Sequence, residues 1–386
     1  MLKDFIPFHK PYVTDDEINE VVDSIKTGWW TTGPKALKFE EQFKEYIGSK
    51  HCLAVNSWTA AAHLALESIN LKSGDEVIVP AFTFTATAEI ACYFNAKPVI
   101  VDVQPDSFNI SVEAIEKSIT EKTRAIIPVH YGGNPCDMDE IINLAENNNL
   151  KIIEDAAHAL PASYKGKKIG TVGDVTCFSF YVTKTLATGE GGMICTDDDD
   201  IAKRCSVMRL HGINKDSWDR YTSEGSWHYE VIAPGFKYNF TDISAALGLA
   251  QLKKIDFLHQ SRKRIFEKYN EGFKDNPLLK IYSIKNDRES SHHLYPVLIE
   301  IEKLKINRSQ FIEELKNHGI GASVHFIPLY RHPYYRDTFN LNAKNFPVSE
   351  YIYERVTTLP IWPGMSELEI SKVIDVVNIV LNKHKK

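Results

Sequence analysis

Short runs rich in valine and isoleucine alternate along this chain with segments of helical period, and no other feature restricts the possible folds so far. The runs are DEVIVPAF (75–82), AKPVIVDV (96–103), TRAIIPVHY (123–131), KIIEDAA (151–157), DVTCFSFY (174–181) and GGMICTDD (191–198). Stretches such as SVEAIEKSI and MDEIINLAENN lie between them, so the pattern predicts βαβ units around a largely parallel sheet. Ahead of the first run, Thr14-Asp15-Asp16-Glu17 has the form of a capping box, Ile18, Val21, Val22 and Ile25 supply an apolar stripe, and Gly28 can end the helix. A second helix is expected at about 39–47. From Phe240 onward the pattern changes, with one or two long helices over 243–269 and then a smaller α+β unit. At 386 residues the chain is long for one compact core, so two domains are expected, 1–252 and 253–386.

Composition excludes several functions. The 45 basic and 51 acidic residues give a net charge of −6, and no Lys/Arg cluster marks a phosphate backbone footprint, so nucleic acid is not an expected partner. The six cysteines lie singly, without a C-x-x-C pair, which reads as reduced thiols in a cytoplasmic protein and points to neither zinc nor a disulfide framework. The start, MLKDFIPFHKP, has no apolar core of signal-peptide length, and no segment approaches the roughly 20 apolar residues that span a bilayer. His292 and His293 are adjacent, so they do not face one metal from a helix or strand, and they read as surface. The acidic run 197–200 reads as a solvated turn.

Open parallel sheets collect ligands at the carboxyl ends of their strands. Asp155 closes one such run and is followed by the small residues Ala156 and Ala157. A carboxylate there needs a cation, or else caps the next helix. In FSFYVTKTLATGEGG, Lys184 stands between aromatics and glycines. Most lysines are solvated, but one buried beside aromatics loses its proton easily and attacks carbonyl compounds. In NSWTAAAHL, a turn with Ser57 and Thr59 runs into a helix whose free N–H groups suit a phosphate, although the same residues make ordinary caps. Ser179 offers another hydroxyl, and Phe84 offers a flat face where it is not core. One ligand meets all four features: pyridoxal 5′-phosphate (PLP), through its aldehyde, ring nitrogen, phosphate and π-face.

The motifs AFTFTATA, EDAAHA, FSFYVTKTLATGEGGM, KYNFTDISAALGLAQL and HFIPLY, in this order, resemble the DegT/DnrJ/EryC1/StrS family of PLP-dependent sugar aminotransferases over nearly the whole chain. The resemblance implies the fold-type I aminotransferase architecture, an α/β large domain with a mostly parallel sheet plus a smaller C-terminal α+β domain. It also implies a homodimer with shared active sites and nucleotide-linked keto-sugars as amino acceptors, with L-glutamate as donor. Carried over by position, Lys184 is the Schiff-base lysine, Asp155 the partner of the ring nitrogen and His158 the contact to the ring's phenolic oxygen. Phe84 stacks on the ring, while Thr59, the Ala60 amide and Ser179 hold the phosphate. Asn239 reaches the phosphate of the second subunit. Trp30, beside Trp29 in the N-terminal loop, and His325 resemble substrate contacts. The segment PGFKYNFTDI leans toward 4-aminotransferases of UDP-sugars. The sequence departs from the family at Trp58, Pro161 and Thr185, none of which carries one of the four chemical roles. Two other readings stand beside this one: a sugar dehydratase of the same fold, in which histidine replaces the lysine, and a catalytically silent nucleotide-sugar-binding module.

Overall fold

The computed structural model describes residues 5–214 and 228–386; the first four residues of the N-terminal stretch quoted above lie outside them. A seven-stranded sheet organises the first part of the chain, in the order His51–Val55, Gly192–Thr196, Val175–Ser179, Lys151–Asp155, Thr123–Ile126, Glu76–Pro80, Lys97–Val101. Every neighbouring pair is parallel except the two made by Gly192–Thr196, which runs antiparallel to both of its neighbours. The six runs read as strands therefore all pair, and the fold is the expected α/β class with a mostly parallel central sheet. The inner strands are apolar on both faces because helices cover both; Glu76–Pro80, Val175–Ser179 and Gly192–Thr196 are buried throughout.

His51–Val55 was not foreseen. Its HCLAV run is too short and mixed to announce a strand, and only pairing along Gly192–Thr196 makes it one. The turn that follows has little freedom: a Cβ on Gly192 would lie 2.5 Å from the carbonyl oxygen of Ser57, so glycine at 192 is what lets the 56–58 backbone pack against the sheet.

The first helix, Asp15–Thr27, has its capping box at Thr14 and Glu17 and ends at Gly28 with φ 80°. Its apolar stripe does not face the core, contrary to expectation. Ile18, Val22 and Ile25 are exposed, whereas Glu17 and Ser24 are buried. The reason is the partner helix, Asp242–Leu252, which offers polar groups to that face. Gln251 donates to Glu17 Oε1 at 2.6 Å, and Lys254 pairs with the same carboxylate at 3.0 Å. The second helix begins at Pro34, earlier than the expected 39, because proline suits the first helical position. Its first amides are capped from afar: Asp242, fully buried, accepts from Gly33, Lys35 and Ala36 at 2.8–3.1 Å.

The acidic run is more than a turn, since Asp198 caps the helix Asp199–Met208 through the amides of Asp200 and Ile201. Beyond the helix Ile255–Phe273, a three-stranded antiparallel sheet of Leu279–Ile281, Tyr295–Ile299 and Val356–Leu359 packs with Arg308–Asn317 and Glu367–Lys383 around Tyr269, Phe273, Phe311 and Val377. The N-terminal segment joins this unit. Ile6 donates to Gly319 and accepts from Gly321, each at 2.8 Å, which brings Phe8 and His9 over the strand ends of the large sheet. No helix among the described residues is long and apolar enough to cross a membrane.

Candidate active site

Asp155 is the last residue of its strand and 5% exposed. Its backbone is pinned to the neighbouring strand's exit by Asp155 N to Pro128 O at 2.9 Å and His130 N to Asp155 O at 3.1 Å. The side chain is oriented as tightly: Thr87 Oγ1 donates to Oδ2 at 2.9 Å and Ala157 N donates to Oδ1 at 3.1 Å. Thr87 is held in turn by Thr83 at 2.8 Å. Burial raises the carboxyl to about 6, against the opposing pull of these donors and of Lys184. Such a group gains most from a cation placed against it.

Lys184 lies on the turn after Val175–Ser179, its amide bonded to Tyr181 O at 2.8 Å. Its amine opens on the cavity that Asp155 lines, a space of about 520 Å3. Burial lowers it to about 8; the Asp155 charge opposes this and the charge of Arg262 adds to it. A lysine titrating there has a far larger share of free amine near neutrality than an ordinary one.

One wall is made of imidazoles. His158 accepts a hydrogen bond at Nδ1 from Gly132 N at 3.3 Å, which assigns its proton to Nε2. Its ring lies 5.8 Å from Phe326 at 12°, and 4.5 Å from His293. His325 stacks on Phe8 at 5.3 Å, with Nδ1 3.1 Å from Thr358 Oγ1. Burial pushes His158 and His293 well below the usual imidazole range and His325 down to about 3. His292 and His293 are thus not surface residues: both are buried, and His293 lines the cavity. Their burial is set by partners distant in the chain: His292 packs against His259 and Phe266 of the helix Ile255–Phe273, and His293 against His158.

Opposite, the helix Trp58–Ser68 points its N-terminus at the cavity, with Ser57 as N-cap. The Ala60 amide donates to Ser57 Oγ at 3.1 Å, so within this chain it is engaged in the cap and Ala60 does not line the space. The first-turn amides of Trp58 and Thr59 have no intrahelical acceptor, and Thr59 and Ser179 both line the cavity. Trp58 also lines the cavity, and its indole donates to Cys177 O at 3.0 Å. Phe84 is 60% exposed at the rim, 6.2 Å from Phe326, as a stacking face should be and a core residue would not. Hydroxyls and amides at a helix start, an amine lowered to about 8, a buried carboxylate lacking a full counter-charge and an exposed ring match the phosphate, aldehyde, ring nitrogen and π-face of PLP.

The fold thus gathers Lys184, Asp155, His158, Thr59, Ser179, Phe84 and His325 around one space. It does not bring Asn239 or Trp30 there. Asn239 donates to Thr32 Oγ1 at 2.8 Å, and Trp30, 60% exposed, donates from its indole to Ile25 O at 3.3 Å. Both sit in one surface region with the 29–33 loop. The sequence reading missed Thr87, Thr83, His9, His293 and Phe326. The threonine alternation in AFTFTATA was the available signal for the first two; nothing local marks the others.

A sheet with a buried carboxylate at a strand end, lining with a half-buried lysine one cavity roofed by a second unit, defines a PLP-dependent enzyme of fold type I. The comparisons narrow this. The profile of the DegT/DnrJ/EryC1/StrS aminotransferase family matches residues 11–378, and the chain belongs to that family. It is 54% identical over 376 residues to the uncharacterized protein MJ1066 of Methanocaldococcus jannaschii, covering 97% of each chain. It is 43% identical over 378 residues to the spore coat polysaccharide biosynthesis protein SpsC of Bacillus subtilis, covering 98% of this chain and 97% of that one. Among solved structures, Helicobacter pylori PseC, an aminotransferase involved in the biosynthesis of pseudoaminic acid, superposes with a TM-score of 0.91 at 29% identity, over 99% of this chain and 100% of that one. The protein is a PLP-dependent sugar aminotransferase.

Proposed function

We propose that the protein moves an amino group from L-glutamate to a nucleotide-linked 4-keto-6-deoxyhexose carried by UDP or dTDP, as a cytoplasmic homodimer with shared active sites, in amino-sugar biosynthesis for a surface polysaccharide or glycoconjugate. The observation that carries the catalytic part is the pair of Lys184 and Asp155 in one cavity: burial lowers the amine toward its free, nucleophilic form, and it leaves the carboxyl short of a counter-charge that a protonated ring nitrogen would supply. When bound, PLP supplies an aldehyde and an electron-withdrawing ring that stabilises negative charge at the donor's α-carbon. Lys184 would hold the cofactor through Nζ and would move the donor's α-proton. Asp155, fixed by Thr87 and Ala157, keeps a proton on the ring nitrogen. His158, with its Nε2 proton, donates to the phenolic oxygen. Thr59, Ser179 and the free amides of the helix start take the phosphate, and Phe84 covers one ring face.

In this reading residues 1–252 form the cofactor-binding domain and 253–386 the smaller one, which contributes His325 and Phe326 to the acceptor side. Trp30 and Asn239 serve the site of the second subunit; their shared surface region and the exposed Ile18, Val22 and Ile25 beside it support an interface there. Lys184 stands where a dehydratase of this fold would have histidine, which favours transamination. The test is spectroscopic: purified protein should be yellow, and L-glutamate should convert its absorbance to that of pyridoxamine phosphate. Protein that stays unchanged with every amino donor would be a silent binding module. A panel of UDP- and dTDP-linked 3-keto and 4-keto sugars, read by mass spectrometry, then identifies the acceptor.

A further inference from the structure

The helix Ile255–Phe273 buries Arg262 to 1% exposure. Its Nη1 donates to His293 O at 3.2 Å and to Ile361 O at 2.9 Å. Nε and Nη2 have no hydrogen-bond partner, and among the described residues no carboxylate pairs with the guanidinium. Taking a lone charge out of water costs several kcal/mol, and a neutral amide would serve two carbonyls at lower cost. The placement gives the charge a use. His293 and Ile361, the residues whose carbonyls it grips, both line the cavity that holds the amine of Lys184.

We propose that Arg262 is a positioning residue for Lys184: it fixes the His293 and Ile361 backbone that walls the cavity and sets an uncompensated positive charge behind that wall, favouring the uncharged, nucleophilic amine. The inference rests on the assignment of Lys184 as the residue that holds PLP.

The other groups around the amine are accounted for. Asp155, from the strand end, favours the charged form. His9 from the N-terminal segment, His158 after the strand, His293 from the second unit and His325 all lie within electrostatic reach, and all are kept neutral by burial near pH 7. Glu190 lines the cavity but is exposed, so water screens it. Arg262, although burial lowers it to about 9, is therefore the cation that stands beside the amine among these groups near neutrality. It opposes the pull of the Asp155 carboxylate on the amine, and burial of the amine, the larger effect, acts in the same sense.

The experiment is competitive acetylation of the full-length chain, freed of cofactor, from about pH 6 to about pH 10, with the Lys184 peptide quantified by mass spectrometry. Arg262→Gln and Arg262→Met, neutral and differently shaped, should move the Lys184 profile upward by half to one pH unit, cutting its acetylation near neutrality by about three- to tenfold. Arg262→Lys, which keeps the charge, should stay within about twofold of the parent. Coincident profiles for the neutral variants and the parent overturn the proposal, as does a lysine variant that shifts as far as the neutral ones. A parent profile centred on the ordinary lysine value of about 10.4 overturns it without any variant. Borohydride trapping of PLP on each variant keeps the two readings apart. Trapping at Lys184 throughout, with unshifted profiles, removes the role of Arg262 alone, whereas no trapping at Lys184 in the parent removes the proposed function.

Discussion

Burial sets the protonation of Lys184 and Asp155, each opposed by the other's charge, and substitutions there should separate binding from chemistry. Lys184→Ala should retain PLP through its phosphate and ring contacts and lose the glutamate half-reaction by about a hundred- to ten-thousandfold in stopped-flow absorbance. Asp155→Asn has a sign that can be worked out in cofactor-free protein. The carboxyl titrates at about 6 when folded, above its unfolded value, so it contributes stability below about pH 4 that is lost as pH rises through about 6. The asparagine variant lacks that loss. Its stability relative to the parent, from denaturant midpoints, should therefore rise between about pH 4 and about pH 7, by up to roughly 3 kcal/mol. A relative stability that falls over this range would mean that Asp155 is paired rather than merely buried. Both residues were legible in the sequence because residue type and strand-end position carry their chemistry. Thr87, Arg262 and His293 were not, since their roles exist only through contacts between elements distant in the chain.

Among the elements, the start of the helix Pro34–Ile47 depends on a carboxylate more than two hundred residues away. Asp242→Ala should strip three amides of their acceptor and cost about 1–3 kcal/mol, read as a lower thermal midpoint with an unchanged fold by circular dichroism. The turn before Trp58–Ser68 depends on a close approach. Gly192→Ala should push Ser57 off the sheet and weaken PLP binding about tenfold in a fluorescence titration, an energy of roughly 1.4 kcal/mol. Helix and strand positions were read well because hydrophobic period is a local property. The strand His51–Val55 escaped because its identity comes from its neighbour, and the outward turn of the first helix's stripe was not legible because the period shows that a stripe exists without showing what it meets.

For the whole molecule, the exposed stripe of Ile18, Val22 and Ile25 is the candidate contact surface of the proposed homodimer. Ile18→Asp with Val22→Asp should yield monomers by analytical ultracentrifugation, with cofactor affinity falling in step if the phosphate site is shared. Mixing Lys184→Ala with Asn239→Asp subunits should then restore part of the activity that neither has alone, because one of the two sites in the mixed dimer carries both native residues. The sequence by itself determined where most of the sheet's runs lie along the chain, and it pointed to the lysine, its carboxylate and so the cofactor, because each is written in a few adjacent residues. Only the tertiary structure decided what surrounds the amine: the neutral imidazole wall, the buried guanidinium behind it and the outward face of the first helix. The physical reason is that charge states and burial depend on distances through space, and a linear pattern does not contain those distances until the second unit and the N-terminal segment close over the strand ends.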